Sequence, residues 1–219
     1  MFNVDRIAKA PDCLNSNQYN TQEVVDILEP MFHGKCYLCE RDSLLDPEIE
    51  HFDPHKGDDA KKYDWGNLFY ACSRCNSIKG VAHTNLLDCC DVNIDVFKKI
   101  KCLLPSIIDT ADISVTALQD DVQSQNTAEL IHLCYNEKNT PLRGITRVVL
   151  MDIIFNLHVE FQQYRLILKK KMYTPSEKLA AKERLTVMIQ DDYPFAVFWK
   201  WHVLEDTFLN EQLKDVIDF

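Results

Sequence analysis

The chain has 219 residues, 46% of them hydrophobic, and a formal net charge of -10, enough apolar material for one sizeable core or two small ones. A surface that grips nucleic acid all over is excluded, because phosphate binding relies on Lys and Arg displacing counterions. The sequence shows no charged-then-apolar start and no unbroken apolar run near the ~20 residues that cross a bilayer, so a cytoplasmic protein with no membrane segment is expected.

A helix is expected first. Asn20 and Glu23 have the spacing of a capping box, Val24, Ile27, Leu28 and Met31 fall on one face, and His33-Gly34 ends it. Residues 36–82 differ in character. Two cysteine pairs enclose a short strand and polar loops, and four of the five glycines lie nearby at 34, 57, 66 and 80, as in a compact module that carries a site. Residues 83–125, with Pro105, scattered Asp and no sustained period, read as a connecting region with short elements.

From 126 to 219 the pattern is helical. Thr140-Pro141 is the predicted start of a long helix whose stripe runs through Leu142, Ile145, Val149, Ile153, Leu157, Phe161, Tyr164 and Leu168. Thr174 and Glu177 form a second predicted capping box, ahead of Leu185, Met188 and Ile189. Phe195, Phe198, Trp199 and His202 mark a third helix, and Leu209, Leu213 and Val216 a short terminal one. The expected fold is α+β and mostly helical: a helical segment at 1–35, the module at 36–82, a connection at 83–125 and a helical bundle at 126–219. Residues 141–190 hold nine basic and four acidic side chains in an otherwise acidic chain. A solvated helix face and a contact surface for nucleic acid or a partner both remain open there.

Nine cysteines in a chain with no secretory start point to metal in a reducing compartment. Cys36-Tyr-Leu-Cys39 and Cys72-Ser-Arg-Cys75 can present four thiolates to one tetrahedral ion, for which structural zinc is the natural occupant. Such a site is closed, so it stabilises the fold and does no hydrolysis. Cys13, Cys89, Cys90, Cys102 and Cys134 follow no ligand spacing and are expected as small buried side chains. Between the pairs stand Glu50-His51 and then Asn67-Leu68; Asn76 and Lys79 follow Cys75. An imidazole titrates near neutrality and can take a proton, and carboxylate and amide oxygens suit Mg²⁺ or Mn²⁺.

These blocks, in this order and at this spacing, resemble the HNH nuclease motif in its cysteine-bearing form: an acidic-His pair, a central Asn-Leu and a final CxxCNxxK. The resemblance implies a ββα-metal endonuclease that hydrolyses phosphodiester bonds to a 5′ phosphate and a 3′ hydroxyl. By the same resemblance His51 is the general base, Glu50 and Asn76 bind the catalytic Mg²⁺ or Mn²⁺, and Asn67 cross-bonds the loop between the strands so that the His is aimed. Lys56, Arg74 and Lys79 are near enough in sequence to contact phosphates. His55 is open as a further ligand or phosphate contact, and His33 and His83 read as ordinary polar residues. Two departures bear on the metal geometry: Glu50 stands where Asp is more frequent, and Asn76 where the name-giving motif has His.

The stretches EIEHFDP, DWGNLFYACSRCNSIKG, TAELIHLCYNEKNTPLRGITR and YPFAVFWKW are together similar to the PtuB family, the HNH subunits of Septu-type anti-phage systems and of retron-associated effectors. That similarity implies a PtuA-type, ABC-like ATPase partner that restrains or directs the nuclease on its nucleic-acid substrate, with DNA the first expectation. RNA, including tRNA, is the alternative, because attack by metal-activated water needs no 2′ hydroxyl. A zinc-stabilised, non-catalytic adaptor is the alternative from another class. It would keep the cysteines and lose some of Glu50, His51 and Asn76, all of which are present.

Overall fold

The computed structural model describes residues 1–106, 111–138, 144–217 and 219. After a 3-10 turn at Asp12–Ser16 the chain enters α1 (Gln22–Met31). Thr21, one residue beyond the expected Asn20, caps it by accepting the Val24 amide, and Glu23 turns away to the Asp12 amide at 2.8 Å. A hydroxyl at this position satisfies the same orphan N–H groups as an amide one residue earlier, so spacing alone could not place the cap. Val24, Leu28 and Met31 bury, and His33 and Gly34, both at positive φ, turn the chain toward the first cysteine pair.

β1 (Pro47–His51) and β2 (Leu68–Cys72) pair antiparallel, with Glu50 opposite Phe69 and His51 opposite Leu68. Their connection holds α2 (Asp59–Lys62) and a 3-10 turn at Trp65–Asn67. β2 is buried along its whole length, contacted by β1, α1 and α3 (Ser73–Lys79), which explains why its sequence, Leu-Phe-Tyr-Ala-Cys, is apolar without alternation. The chain passes straight from β2 into α3, whose cap is the Cys72 sulfur, accepting from the Cys75 amide at 3.4 Å.

The connecting region contains a second small sheet, β3 (Ile100–Leu103) against β4 (Ser114–Ala117), antiparallel, with Ile100 opposite Ala117. Strands of four residues complete only two alternations, too few to stand out as a period. α4 (Val122–Asn136), α5 (Arg147–Lys169), α6 (Pro175–Met188), α7 (Ala196–Glu205) and α8 (Thr207–Leu213) follow. The Thr174–Glu177 capping box is formed, with Pro175 opening α6.

Thr140, Pro141 and Leu142 lie outside the described residues; α5 as described is capped by Thr146 and begins at Arg147. Its buried face is Leu150, Met151, Ile154, Phe161 and Leu168, whereas Val149, expected on that face, is 43% exposed. The run from Val148 to Met151 is apolar at every position, so period gave no way to choose the inward side.

The chain is thus mixed α/β and mostly helical, with two small sheets. One buried cluster extends from Leu28 through Cys36 and Phe69 to Ile131, Ile154, Trp199 and Leu213, so the cysteine module and the later helices share a core. Among the described residues no helix is long and apolar enough to cross a membrane.

Candidate active site and metal centre

Cys36, Cys39, Cys72 and Cys75 come together from the loop after α1 and from the β2–α3 junction, all four buried, with their sulfurs within 4.8 Å of one another. A tetrahedral zinc with Zn–S bonds of about 2.3 Å spaces its sulfurs about 3.8 Å apart. The Cys39 and Cys72 sulfurs are 3.9 Å apart, so the set fits that ion. Hydrogen bonds from the other three thiols push the Cys72 thiol well below its ordinary pKa, whereas the Cys39 and Cys75 thiols, hydrogen-bonded in the same cluster, are pushed well above theirs.

Later helices clamp this centre. The Tyr135 hydroxyl on α4 donates to the Cys39 carbonyl at 3.0 Å, and the Glu40 carboxylate accepts the Val197 amide of α7 at 3.1 Å. Arg74, fully buried, donates to the carbonyls of Cys134 at 3.1 Å and Glu137 at 2.7 Å. Cys134 also brings a fifth thiol against Cys75. Gly144, the one glycine remote from the module in sequence, packs on the start of α3. Its φ is +71°, and a Cβ there would stand 2.7 Å from Ser73 Oγ and 2.8 Å from the Arg74 nitrogen, so only glycine fits. Of the five other cysteines, Cys89, Cys102 and Cys134 are buried as expected, and Cys13 and Cys90 are half-buried.

At the far end of β1 a cleft of about 440 Å³ is lined by residues that include Tyr19, Glu50, His51, His55, Lys56 and Asn76. His51 stands with its Nε2 3.0 Å from the Lys62 carbonyl oxygen. A carbonyl can only accept, so Nε2 carries the proton and Nδ1 keeps the lone pair in the neutral ring. Burial pushes the His51 pKa below its ordinary value of 6.5, against the opposing pull of that carbonyl. Tyr19 meets the imidazole edge-on at 4.7 Å between ring centroids, and the His55 ring lies tilted against it, also with centroids 4.7 Å apart.

Asn67 is nearly buried and spends its amide on the loop between the strands. Its Oδ1 accepts the Asp53 amide at 2.7 Å, and its Nδ2 donates to the carbonyls of Asp53 at 2.8 Å and Lys61 at 2.9 Å. The last of these fixes the residue next to the carbonyl that holds His51.

Glu50 is 3% exposed. The Tyr37 hydroxyl donates to its Oε2 at 2.9 Å and the Lys79 ammonium to its Oε1 at 2.5 Å. Burial raises its pKa, opposed by Lys79 and Tyr37. Asn76 borders the same cleft, with its amide nitrogen donating to Glu48 Oε2 at 2.5 Å. Two carboxylates and an amide are the donor chemistry of a hard divalent cation. The structure brings Glu50 and Asn76 to one cleft and gives each its own protein partner.

Two expected phosphate contacts need correction. Arg74 and Lys79 are wholly buried, one bonded to main-chain carbonyls and the other to Glu50 and the His51 carbonyl, so neither head group reaches the surface. Lys56 is exposed and lines the cleft. Sequence reasoning passed over Tyr37, whose place between the first two cysteines was its one signal, and the carbonyl of Lys62, for which a sequence offers none.

Comparison with known proteins fits this geometry. Residues 36–81 match the family model of the HNH endonucleases. The chain is 36% identical over 75 residues to Septu protein PtuB of Bacillus mycoides (strain KBAB4), a match that covers 26% of this chain and 25% of that protein. It therefore spans about a quarter of the length of the curated relative it matches. No solved structure matches it significantly. Residues 36–81 are accordingly an HNH endonuclease domain, and the chain is similar to a Septu PtuB protein over part of its length.

Proposed function

We propose that the protein is a metal-dependent phosphodiester hydrolase that cleaves DNA as the effector subunit of a Septu-type anti-phage complex. The observation that carries this reading is the His51–Lys62 hydrogen bond, which leaves a neutral imidazole with its Nδ1 lone pair free in a cleft beside Glu50 and Asn76. His51 takes the proton of the attacking water. Asn67 holds the loop that aims the ring. Lys56, exposed at the cleft, meets the phosphate backbone. Glu50 and Asn76 would hold Mg²⁺ or Mn²⁺, which when bound stabilises the charge developing on the phosphate and the leaving oxygen. The four-cysteine site would hold zinc and keep the β2–α3 junction in place.

The helices after residue 126, read as a bundle, brace the module and offer surface to a partner. A net charge of -10 gives the chain little hold on nucleic acid by itself, which supports a second subunit, a PtuA-type ATPase, that brings it to substrate. The same chemistry admits RNA, including tRNA. The test is incubation of the zinc-loaded chain, alone and with such an ATPase, on plasmid, single-stranded DNA and total tRNA with Mg²⁺ or Mn²⁺. Cleavage of DNA to 5′ phosphate ends is expected. Cleavage of tRNA alone would replace the substrate, and absence of any cleavage would leave the zinc-stabilised adaptor as the better description.

A further inference from the structure

Lys79 has no part in the chemistry above, and its placement is specific. It is wholly buried at the end of α3, and its ammonium donates to Glu50 Oε1 at 2.5 Å and to the His51 carbonyl at 2.9 Å. One side chain thus ties α3 to both members of the acidic-His pair. With Tyr37 on the second oxygen, the Glu50 carboxylate is engaged by protein on both sides. Charges a few ångströms apart in such a buried place act on one another far more strongly than in water. A divalent cation reaching Glu50 therefore meets a positive charge already seated there.

We propose that Lys79 is the resident cation of the Glu50 site: it competes with the catalytic divalent ion for the carboxylate, keeps the affinity for that ion low, and must release Glu50 Oε1 for the ion to load. The proposal rests on the reading of Glu50 as a ligand of that ion. A lysine suits the task because its ammonium has three donors on a flexible stem, so it can give up Glu50 and stay bonded to the His51 carbonyl.

The experiment measures Mn²⁺ binding to the full-length, zinc-loaded chain without nucleic acid, by the electron paramagnetic resonance of free Mn²⁺, with Tm followed in parallel. Lys79→Met is expected to bind Mn²⁺ roughly tenfold tighter or more than wild type, as removal of a nearby like charge requires. Its Tm should rise further on adding Mn²⁺ than that of wild type, and Lys79→Arg should stay near wild-type affinity. If Lys79→Met fails to fold by itself, the competition requires that Mn²⁺ restore its fold, because the ion supplies the missing positive charge. A variant that stays unfolded in Mn²⁺, or folds and binds Mn²⁺ no tighter than wild type, overturns the proposal. Glu50→Gln is expected to lose the Mn²⁺ site; retained binding overturns the proposal by removing Glu50 from the ion, and leaves the His51 chemistry to its own assay.

Discussion

His51 and Lys62 are joined by a 3.0 Å contact between the imidazole Nε2 and a main-chain carbonyl, and this decides which nitrogen of the ring can act as a base. Burial holds the His51 pKa below 6.5. Catalysis needs the neutral ring, so activity is lost as pH falls through that depressed value and is fully present above it. The acidic limb of kcat/KM against pH should therefore have its midpoint below 6.5. A midpoint above 6.5 contradicts the assignment.

Asn67 acts through the loop it holds. Asn67→Ala removes three hydrogen bonds to main-chain groups, which should lower unfolding free energy by about 2–3 kcal/mol in urea titrations. Cleavage should drop roughly 100-fold because the base is misplaced, with zinc content unchanged. Unaltered turnover would mean that the loop does not aim the ring.

Cys72 both belongs to the four-sulfur set and caps α3. Cys72→Ser should lower bound zinc and cost roughly 3 kcal/mol or more of stability, and a chelator should destabilise the wild type in the same direction. An unchanged metal content, measured by elemental analysis, would remove zinc from this site.

The cysteines, Glu50-His51, Asn67 and Asn76 could be picked out as candidates because the module is built from local segments whose order and spacing carry the HNH pattern. The roles of Arg74 and Lys79 could not. A basic residue two or three positions from Asn76 has the same sequence signature whether it faces water or buried oxygens, and here the fold buries both, Arg74 on main-chain carbonyls and Lys79 on Glu50. The face of α5 stayed hidden for a different reason, since apolar residues at successive positions leave the choice of side to the packing of α6 and α4. The β3–β4 sheet was too short to leave a period.

His158 of α5 lies 5.2 Å from the ring of His202 on α7, with a buried Nδ1 that has no hydrogen-bond partner among the described residues. Burial, with His202 adding to it, pushes its pKa down to about 4. A depressed folded-state pKa stabilises the neutral form, so the contribution is present above 6.5 and is lost as pH falls from 6.5 toward 4. Discounted for partial exposure, the loss is about 2 kcal/mol. The stability gap between wild type and His158→Phe, read from urea unfolding, should shift by that amount in favour of the variant between pH 7 and pH 4.5. A gap independent of pH would place the proton elsewhere.

We propose His51 as the base of a working nuclease. The most direct test is single-turnover cleavage by wild type and His51→Ala, each verified for zinc content and fold, on the substrate the wild type cuts best with Mg²⁺ or Mn²⁺. A loss of at least roughly 100-fold is expected in the variant, with zinc and Tm unchanged. Full activity in a folded, zinc-loaded His51→Ala protein would contradict the assignment.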